Sequence, residues 1–139
     1  MRSSGSPDSS LRDWKRRTIV ASFSDHALRA YRALAPAAAT SASPSEVLTF
    51  WTAVQEGRAP SGPLGYEALQ VPPTYQDVVV VNEPFLRVAH ECGLVVHVWT
   101  IDDEATMAAL LDLGVDGVVT NRPSMLGRVR AERFPPALN

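Results

Sequence analysis

The sequence predicts an α/β fold whose strands run parallel. Residues 93–123 carry the clearest pattern: a β-rich run at 95–100, a polar turn, apolar residues at helical spacing, a glycine, and a second strand at 117–120. Two strands joined by one short helix lie parallel, with a right-handed crossover. The same alternation recurs along most of the chain with no antiparallel hairpin signal. It therefore predicts a parallel sheet covered by helices.

The first half of the chain supplies two strand–helix units. A strand is predicted at residues 18–23, and Leu28 lies on the apolar face of the helix that follows. A strand of small residues is expected at about 38–42. The next helix has the clearest start in the sequence, because Ser43 suits the N-cap and Glu46 completes a capping box.

The second half repeats the pattern after a proline- and glycine-rich loop at residues 58–65. A short strand is predicted at about 68–71. Residues 78–81 form either a second short strand or a segment that lines a loop. Helices are predicted at about 84–92 and at 125–133. A closed eight-stranded barrel needs about 250 residues, and this chain has 139.

Composition and charge narrow the class of protein. The chain is 45% apolar and 20% charged, which is typical of one globular domain. A net charge of −2 and the lack of a long basic run argue against a nucleic-acid partner. No apolar run is long enough to span a membrane. Residues 1–10 are polar and predict a disordered tail without a signal peptide, so a cytoplasmic protein is expected.

Cysteine usage excludes two further classes of site. Cys92 is the single cysteine, so an internal disulfide and a zinc site built on cysteines are excluded. It falls on the apolar face of a predicted helix, and we expect it to be buried.

Four motifs resemble one known family. They are Ser22-Phe23 at a strand end, Ala89-His90 before a glycine, Val98-Trp99-Thr100-Ile101, and residues 114–123. In this order and spacing they resemble the C-terminal part of glycerophosphodiester phosphodiesterases, over about residues 16–130. The resemblance implies a partial TIM (β/α)8 barrel of about the last five β/α units. The domain would span residues 11–133, with 134–139 as a tail.

The resemblance also implies an activity. The family hydrolyses glycerophosphodiesters to glycerol 3-phosphate and an alcohol, using a divalent metal such as Ca²⁺ or Mg²⁺. Its His-Arg-Gly, Glu-x-Asp and His-Asp motifs supply the catalytic groups and the metal ligands. None of the three motifs occurs in this sequence. We therefore expect no metal ligand or catalytic residue here, and a chain that is inactive alone.

Two other functions remain open at this stage. A half-barrel leaves two sheet edges unpaired, and such edges invite self-association or pairing with a separately made N-terminal half. The chain would then be a non-catalytic interaction protein. A complete small α/β domain with an unrelated binding function is the third possibility.

Two aromatic residues are the candidate substrate-binding residues. Strand alternation places Val95, His97 and Trp99 on one face. By resemblance this face points into the barrel, where Trp99 would form an apolar wall against the glycerol backbone. Phe23 would lie beside the ligand in the same way. The alternative for both is ordinary core packing.

The histidines favour structural roles. His97 lines the predicted interior without an identifiable carboxylate partner, so a hydrogen-bonded core histidine is expected. His26 and His90 are expected at the surface or in packing.

The acidic residues favour structural roles as well. Asp102, Asp103 and Glu104 are interpreted as helix capping rather than as metal ligands. Asp116 is expected to bond its own turn. The family usually has Asn in place of Asp102 and Asp in place of Asn121, so the chain departs from the family at both positions.

Overall fold

The computed structural model describes residues 17–137, so the predicted tail at 1–10 lies outside the described residues. The helices are α1 (Asp25–Leu34), α2 (Pro44–Gln55), α3 (Glu83–Glu91), α4 (Glu104–Leu113) and α5 (Pro123–Arg133). The strands are β1 (Ile19–Val20), β2 (Ala39–Thr40), β3 (Ala68–Val71), β4 (Thr74–Tyr75), β5 (Val78–Val79), β6 (Val95–Val98) and β7 (Gly117–Val118). Among the described helices, none is long and apolar enough to cross a membrane.

Five of these strands pair in parallel, as the alternation predicted. β1 pairs with β2, and a second sheet has the order β3–β6–β7. A parallel bridge between Ser41 and Ala68 joins the two sheets, and the amide of Ala42 donates to the carbonyl of Ala68 over 2.8 Å. The α/β class with parallel strands is confirmed.

The expectation of no antiparallel pairing is wrong. β4 and β5 form an antiparallel hairpin directly after β3. The turn residues are Gln76 and Asp77, and Gln76 adopts a positive φ of 52°. This turn lacks the Asn-Gly or Asp-Gly pair that marks a two-residue hairpin in a sequence. Of the predicted segment 78–81, only Val78–Val79 is a strand.

Helix starts follow the sequence closely. The Ser43 hydroxyl accepts from the Glu46 amide, while the Glu46 carboxylate accepts from the Ser43 amide over 2.7 Å. The predicted capping box of α2 is therefore confirmed. The strands are shorter than predicted, since β1 and β2 have two residues each.

Arg32 ties α1 to β2 and α2. Its guanidinium contacts both carboxylate oxygens of Glu46, at 2.7 and 3.1 Å, and donates to the hydroxyl of Thr40 over 2.9 Å and to the carbonyl of Ser41 over 3.1 Å. Burial opposes ionisation of Glu46, but the bonds from Arg32 and Ser43 outweigh it and hold the pKa of Glu46 below its ordinary value.

The core lies between the parallel strands and the helices. Leu69 and Val71 of β3 stand beside Val96 and Val98 of β6, and all four side chains are almost fully buried. Apolar burial of this kind is the main stabilising contribution to a fold.

Cys92 is exposed, which corrects the expectation that it is buried. It is the C-cap of α3, and Gly93 turns the chain away at a φ of 74°. Its side chain therefore leaves the apolar face that Phe85 and Ala89 bury.

Candidate functional site

Phe23 and Trp99 meet beyond the carboxyl ends of β1 and β6. Their ring centroids are 6.0 Å apart with an interplanar angle of 79°, an edge-to-face contact. Phe23 is 84% exposed, whereas Trp99 is half-buried. The structure thus brings the two predicted substrate-binding residues together. Whether they contact a substrate stays a prediction.

Asp102 joins the ends of β6 and β7. Its carboxylate accepts from the Thr120 hydroxyl over 2.9 Å, from the Asn121 amide over 2.7 Å, and from the Asn121 side-chain amide over 2.9 Å. These bonds, led by those from Asn121, hold the pKa of Asp102 below its ordinary value of 3.8.

The capping interpretation is therefore right for Asp103 and wrong for Asp102. Asp103 is the N-cap of α4 and accepts from the Thr106 amide over 2.8 Å. The side chain of Thr106, together with this amide, holds the pKa of Asp103 below its ordinary value. Asp102 contacts a neighbouring strand end instead. The sequence offered no signal for that contact, because its partners lie 18 and 19 residues away.

His97 precedes Trp99 by two residues, one layer further from the carboxyl ends of the strands. In the sheet register it lies beside Gln70 of β3 and Gly117 of β7. The Gln70 amide lies 3.2 Å from His97 Nδ1. The amide donates, so Nδ1 accepts and the neutral ring carries its proton on Nε2. His97 is half-buried, and its role as a hydrogen-bonded histidine is confirmed.

Another polar contact outside the sequence predictions lies at the carboxyl end of β1. The Asp25 carboxylate accepts from the hydroxyl of Ser45 in α2. The hydroxyls of Ser43 and Ser45 hold the pKa of Asp25 below its ordinary value. This contact links the starts of α1 and α2.

Asp116 and His90 lie at the opposite, amino-terminal ends of the strands. Asp116 accepts from the Val96 amide over 2.8 Å, and its carboxylate is 2.8 Å from His90 Nε2. Asp116 therefore bonds a neighbouring strand and a helix rather than its own turn, which corrects the expectation. His90 is exposed, as expected.

The carboxylates described above do not suit the divalent metal that the family uses. Asp102, Asp103 and Asp25 each already accept hydrogen bonds from protein groups. Within residues 17–137, no three His, Cys, Asp or Glu side chains are grouped closely enough to hold an ion. Hard cations need several converging oxygen ligands.

Relatives are found among curated proteins. The probable glycerophosphodiester phosphodiesterase 2 of Mycobacterium tuberculosis is 32% identical over 126 residues, which are 84% of this chain and 46% of the relative. The glycerophosphodiester phosphodiesterase of Bacillus subtilis is 39% identical over 54 residues, 39% of this chain and 18% of the relative. The chain thus spans about half the length, or less, of these relatives.

Solved structures show the same fold at low identity. A putative glycerophosphoryl diester phosphodiesterase from Silicibacter pomeroyi has a TM-score of 0.63 at 19% identity, covering 89% of this chain and 41% of that one. The Agrobacterium tumefaciens glycerophosphodiester phosphodiesterase has a TM-score of 0.61 at 16% identity, covering 88% and 48%. These neighbours are TIM barrels.

The family model for glycerophosphoryl diester phosphodiesterases matches residues 5–125, most of the chain. The predicted resemblance is confirmed, and this chain belongs to the glycerophosphoryl diester phosphodiesterase family.

Proposed function

We propose that this chain forms about the last five β/α units of a glycerophosphodiester phosphodiesterase barrel, with Phe23 and Trp99 as a wall of its substrate site. The edge-to-face contact of these two rings carries the proposal. TIM-barrel enzymes place their active sites at the carboxyl ends of the strands. Both rings lie there, on strand ends that are separated by 76 residues in the sequence and meet in space.

The rings of Phe23 and Trp99 suit the glycerol part of a glycerophosphodiester. An aromatic wall packs against the carbon backbone of glycerol while leaving its hydroxyls free to bond elsewhere. Phe23 is mostly exposed and free to contact a ligand. The substrate class we propose is therefore a small, lipid-derived glycerophosphodiester, hydrolysed to glycerol 3-phosphate and an alcohol.

We further propose that the chain does not catalyse this hydrolysis alone. Phosphodiester cleavage needs a general base and a general acid within hydrogen-bond reach of the reacting oxygens. The His-Arg-Gly, Glu-x-Asp and His-Asp motifs that hold these groups in the family do not occur in the sequence. His90 lies at the wrong end of the strands, and His97 lies a layer below Trp99.

A chimeric enzyme tests this function directly. The amino-terminal part of the M. tuberculosis relative, ending where its match with this chain begins, would be fused to the chain. We expect the chimera to hydrolyse glycerophosphocholine when a divalent cation is supplied, and the 139-residue chain alone to show no turnover. Trp99→Ala in the chimera should lower kcat/KM about tenfold, since a lost apolar wall weakens transition-state binding.

The matched control is Phe134→Ala, which removes an exposed aromatic ring beyond the end of α5. This variant should keep the kcat/KM of the parent chimera. Chelator-sensitive turnover by the chain alone would contradict the proposal. An unchanged kcat/KM in the Trp99→Ala chimera would contradict the assignment of Trp99 to the substrate site.

A non-catalytic interaction protein is the second candidate, favoured by one observation. Among the described strands, β1 and β7 each pair with a single neighbour, so each leaves an edge open. Open edges invite pairing with another chain, including a second copy. Light scattering of the pure chain separates the candidates, because self-association predicts a mass of two or more copies.

A further inference from the structure

The two faces of the β3–β6–β7 sheet differ in burial. On β6, Val96 and Val98 are fully buried, while Val95, His97 and, just beyond the strand, Trp99 are only half-buried. We call Gln70, Val95, His97, Trp99 and Gly117 the open face. No helix in residues 17–137 covers it to the degree that the opposite face is covered.

The open face carries the imidazole of His97 beside the amide of Gln70. Because Gln70 occupies Nδ1 of His97, the neutral ring offers an N–H at Nε2. No hydrogen-bond partner of this atom lies within residues 17–137. A half-buried donor in an apolar setting gains most from an acceptor on whatever covers it. The face thus combines the apolar groups Val95 and Trp99 with an N–H donor at His97 Nε2.

The extent of the relatives indicates what covers this face. The chain matches 46% of the M. tuberculosis protein and 41% of the S. pomeroyi barrel. In a closed barrel, the inward side chains of every strand pack against those of the other strands. The remaining strands of the barrel are therefore the natural cover.

A second copy of this chain fits less well. The described residues contain the parallel strands β1, β2, β3, β6 and β7, so two copies would bring twice that set. That total exceeds the eight strands of a TIM barrel. To close a barrel of eight strands, the partner must supply fewer strands than this chain itself has.

We propose that the open face and the free edge of β7 bind the amino-terminal β/α units of a family barrel when these are supplied as a separate polypeptide. An oxygen atom on that partner accepts a hydrogen bond from the Nε2–H of His97. The partner's inward side chains cover Val95 and His97, while Trp99 stays at the carboxyl ends of the strands beside the proposed substrate site. This inference rests on the proposed function, because it assumes that the sheet is one part of a barrel.

The test uses co-expression of two polypeptides. The tagged full-length chain would be produced together with the amino-terminal part of the M. tuberculosis relative described above. We expect a complex of one copy each, measured by light scattering after purification through the tag. A titration of the two purified pieces gives the Kd. The Nε2 proton of His97, followed by NMR, should exchange with solvent more slowly in the complex than in the free chain.

Three variants locate the interface. Val119→Asp, at the end of β7 where the side chain is 49% exposed, should weaken binding about tenfold or more, since it buries an unpaired charge. His97→Phe keeps a ring but removes the donor, and should weaken binding several-fold. Leu48→Asp, on α2 at 64% exposure, is the matched control and should leave the Kd unchanged. Thermal melts of each variant show that the chain still folds, and His97→Phe decides the matter if Val119→Asp does not fold.

The possible outcomes separate this inference from the proposed function. No recovered complex, or a complex that Val119→Asp and His97→Phe both leave intact, would refute it. A dimer of the chain alone that Val119→Asp dissociates would make a second copy the occupant. A complex that forms but hydrolyses nothing leaves this inference standing and contradicts the proposed function. An active chimera whose separate pieces do not associate contradicts this inference alone.

Discussion

The imidazole of His97 lies directly against the α-carbon of Gly117 on the neighbouring strand. A Cβ placed on Gly117 would be 2.8 Å from His97 Cδ2 and 3.4 Å from Nε2. The first separation is shorter than any comfortable van der Waals contact. Gly117 is thus the residue that lets His97 lie flat and reach Gln70. The glycine is required by space, since its backbone φ does not lie in the left-handed region.

Gly117→Ala should therefore destabilise the chain. The added methyl group must push the His97 ring aside, which breaks its bond to Gln70 and costs about 1 kcal/mol or more. Chemical denaturation measures the change in the free energy of unfolding. Gly65→Ala is the control, because a Cβ there meets nothing within 4 Å. Adding His97→Ala to Gly117→Ala should recover part of the loss, and no recovery would assign the effect to the backbone.

Arg32→Lys should cost about 1–3 kcal/mol of unfolding free energy. A lysine cannot contact both oxygens of Glu46 and also donate to the hydroxyl of Thr40, as the guanidinium does. Urea denaturation of the two proteins gives the difference. Arg29→Lys on the same helix changes an exposed arginine and should have little effect. Equal stabilities of the two variants would show that the contacts of Arg32 contribute nothing.

The chain should stay stable when Asp102 and Asn121 exchange their residue types, but it should lose stability when both positions carry aspartate. Asn121→Asp alone places a second carboxylate 2.9 Å from the first and should lower the melting temperature at neutral pH. Asp102→Asn together with Asn121→Asp restores one carboxylate and one amide, the arrangement usual in the family. The double variant should melt above the Asn121→Asp single variant. The opposite order would mean that the two residues are not coupled.

Acid sensitivity should depend on Asp102. Its folded-state pKa lies below 3.8, so its contribution to stability is present above that pH and is lost as the pH falls through the lowered value. Asp102→Asn removes this titration and should flatten the decline in stability below about pH 4. Asp77→Asn in the exposed hairpin turn is the control and should leave the decline unchanged. The measurement is a series of denaturation curves across pH.

Phe23→Ala should separate stability from function. In the free chain the ring is 84% exposed, so its removal should change the unfolding free energy by less than about 0.5 kcal/mol. In the chimeric enzyme the same change should raise KM for glycerophosphocholine. Denaturation of the chain and steady-state kinetics of the chimera give the two values. A large stability loss with unchanged KM would make Phe23 a packing residue.

The sequence predicted those parts of the fold that depend on local signals. The capping box at Ser43 and Glu46, and the helix end at Gly114 with its φ of 105°, follow from residues a few positions apart. The resemblance to the family also rested on contiguous motifs, and it was confirmed. The two-residue hairpin escaped prediction because Gln76 is an unusual residue at a positive φ.

Contacts between distant strands could not be predicted in the same way. The bond from Asn121 to Asp102 and that from Val96 to Asp116 depend on strand register, which is set by tertiary packing. The resemblance placed Phe23 and Trp99 each beside a ligand, but the contact between the two rings was not predicted. Cys92 was misplaced because its helix ends one residue before it, and helix ends are uncertain by one or two residues.

Hydrogen bonds close the base of the β4–β5 hairpin, so the hairpin is structurally independent of the parallel sheet. The amides of Val80 and Val81 both donate hydrogen bonds to the carbonyl of Pro73, over 3.0 and 3.3 Å. The residues beyond that junction are exposed, and β3 before it keeps its own pairing with β6. Foreign sequence could therefore replace the tip at Gln76 and Asp77 without shifting the parallel register. The hairpin is a natural insertion point for a fluorophore or an epitope placed at the mouth of the proposed barrel.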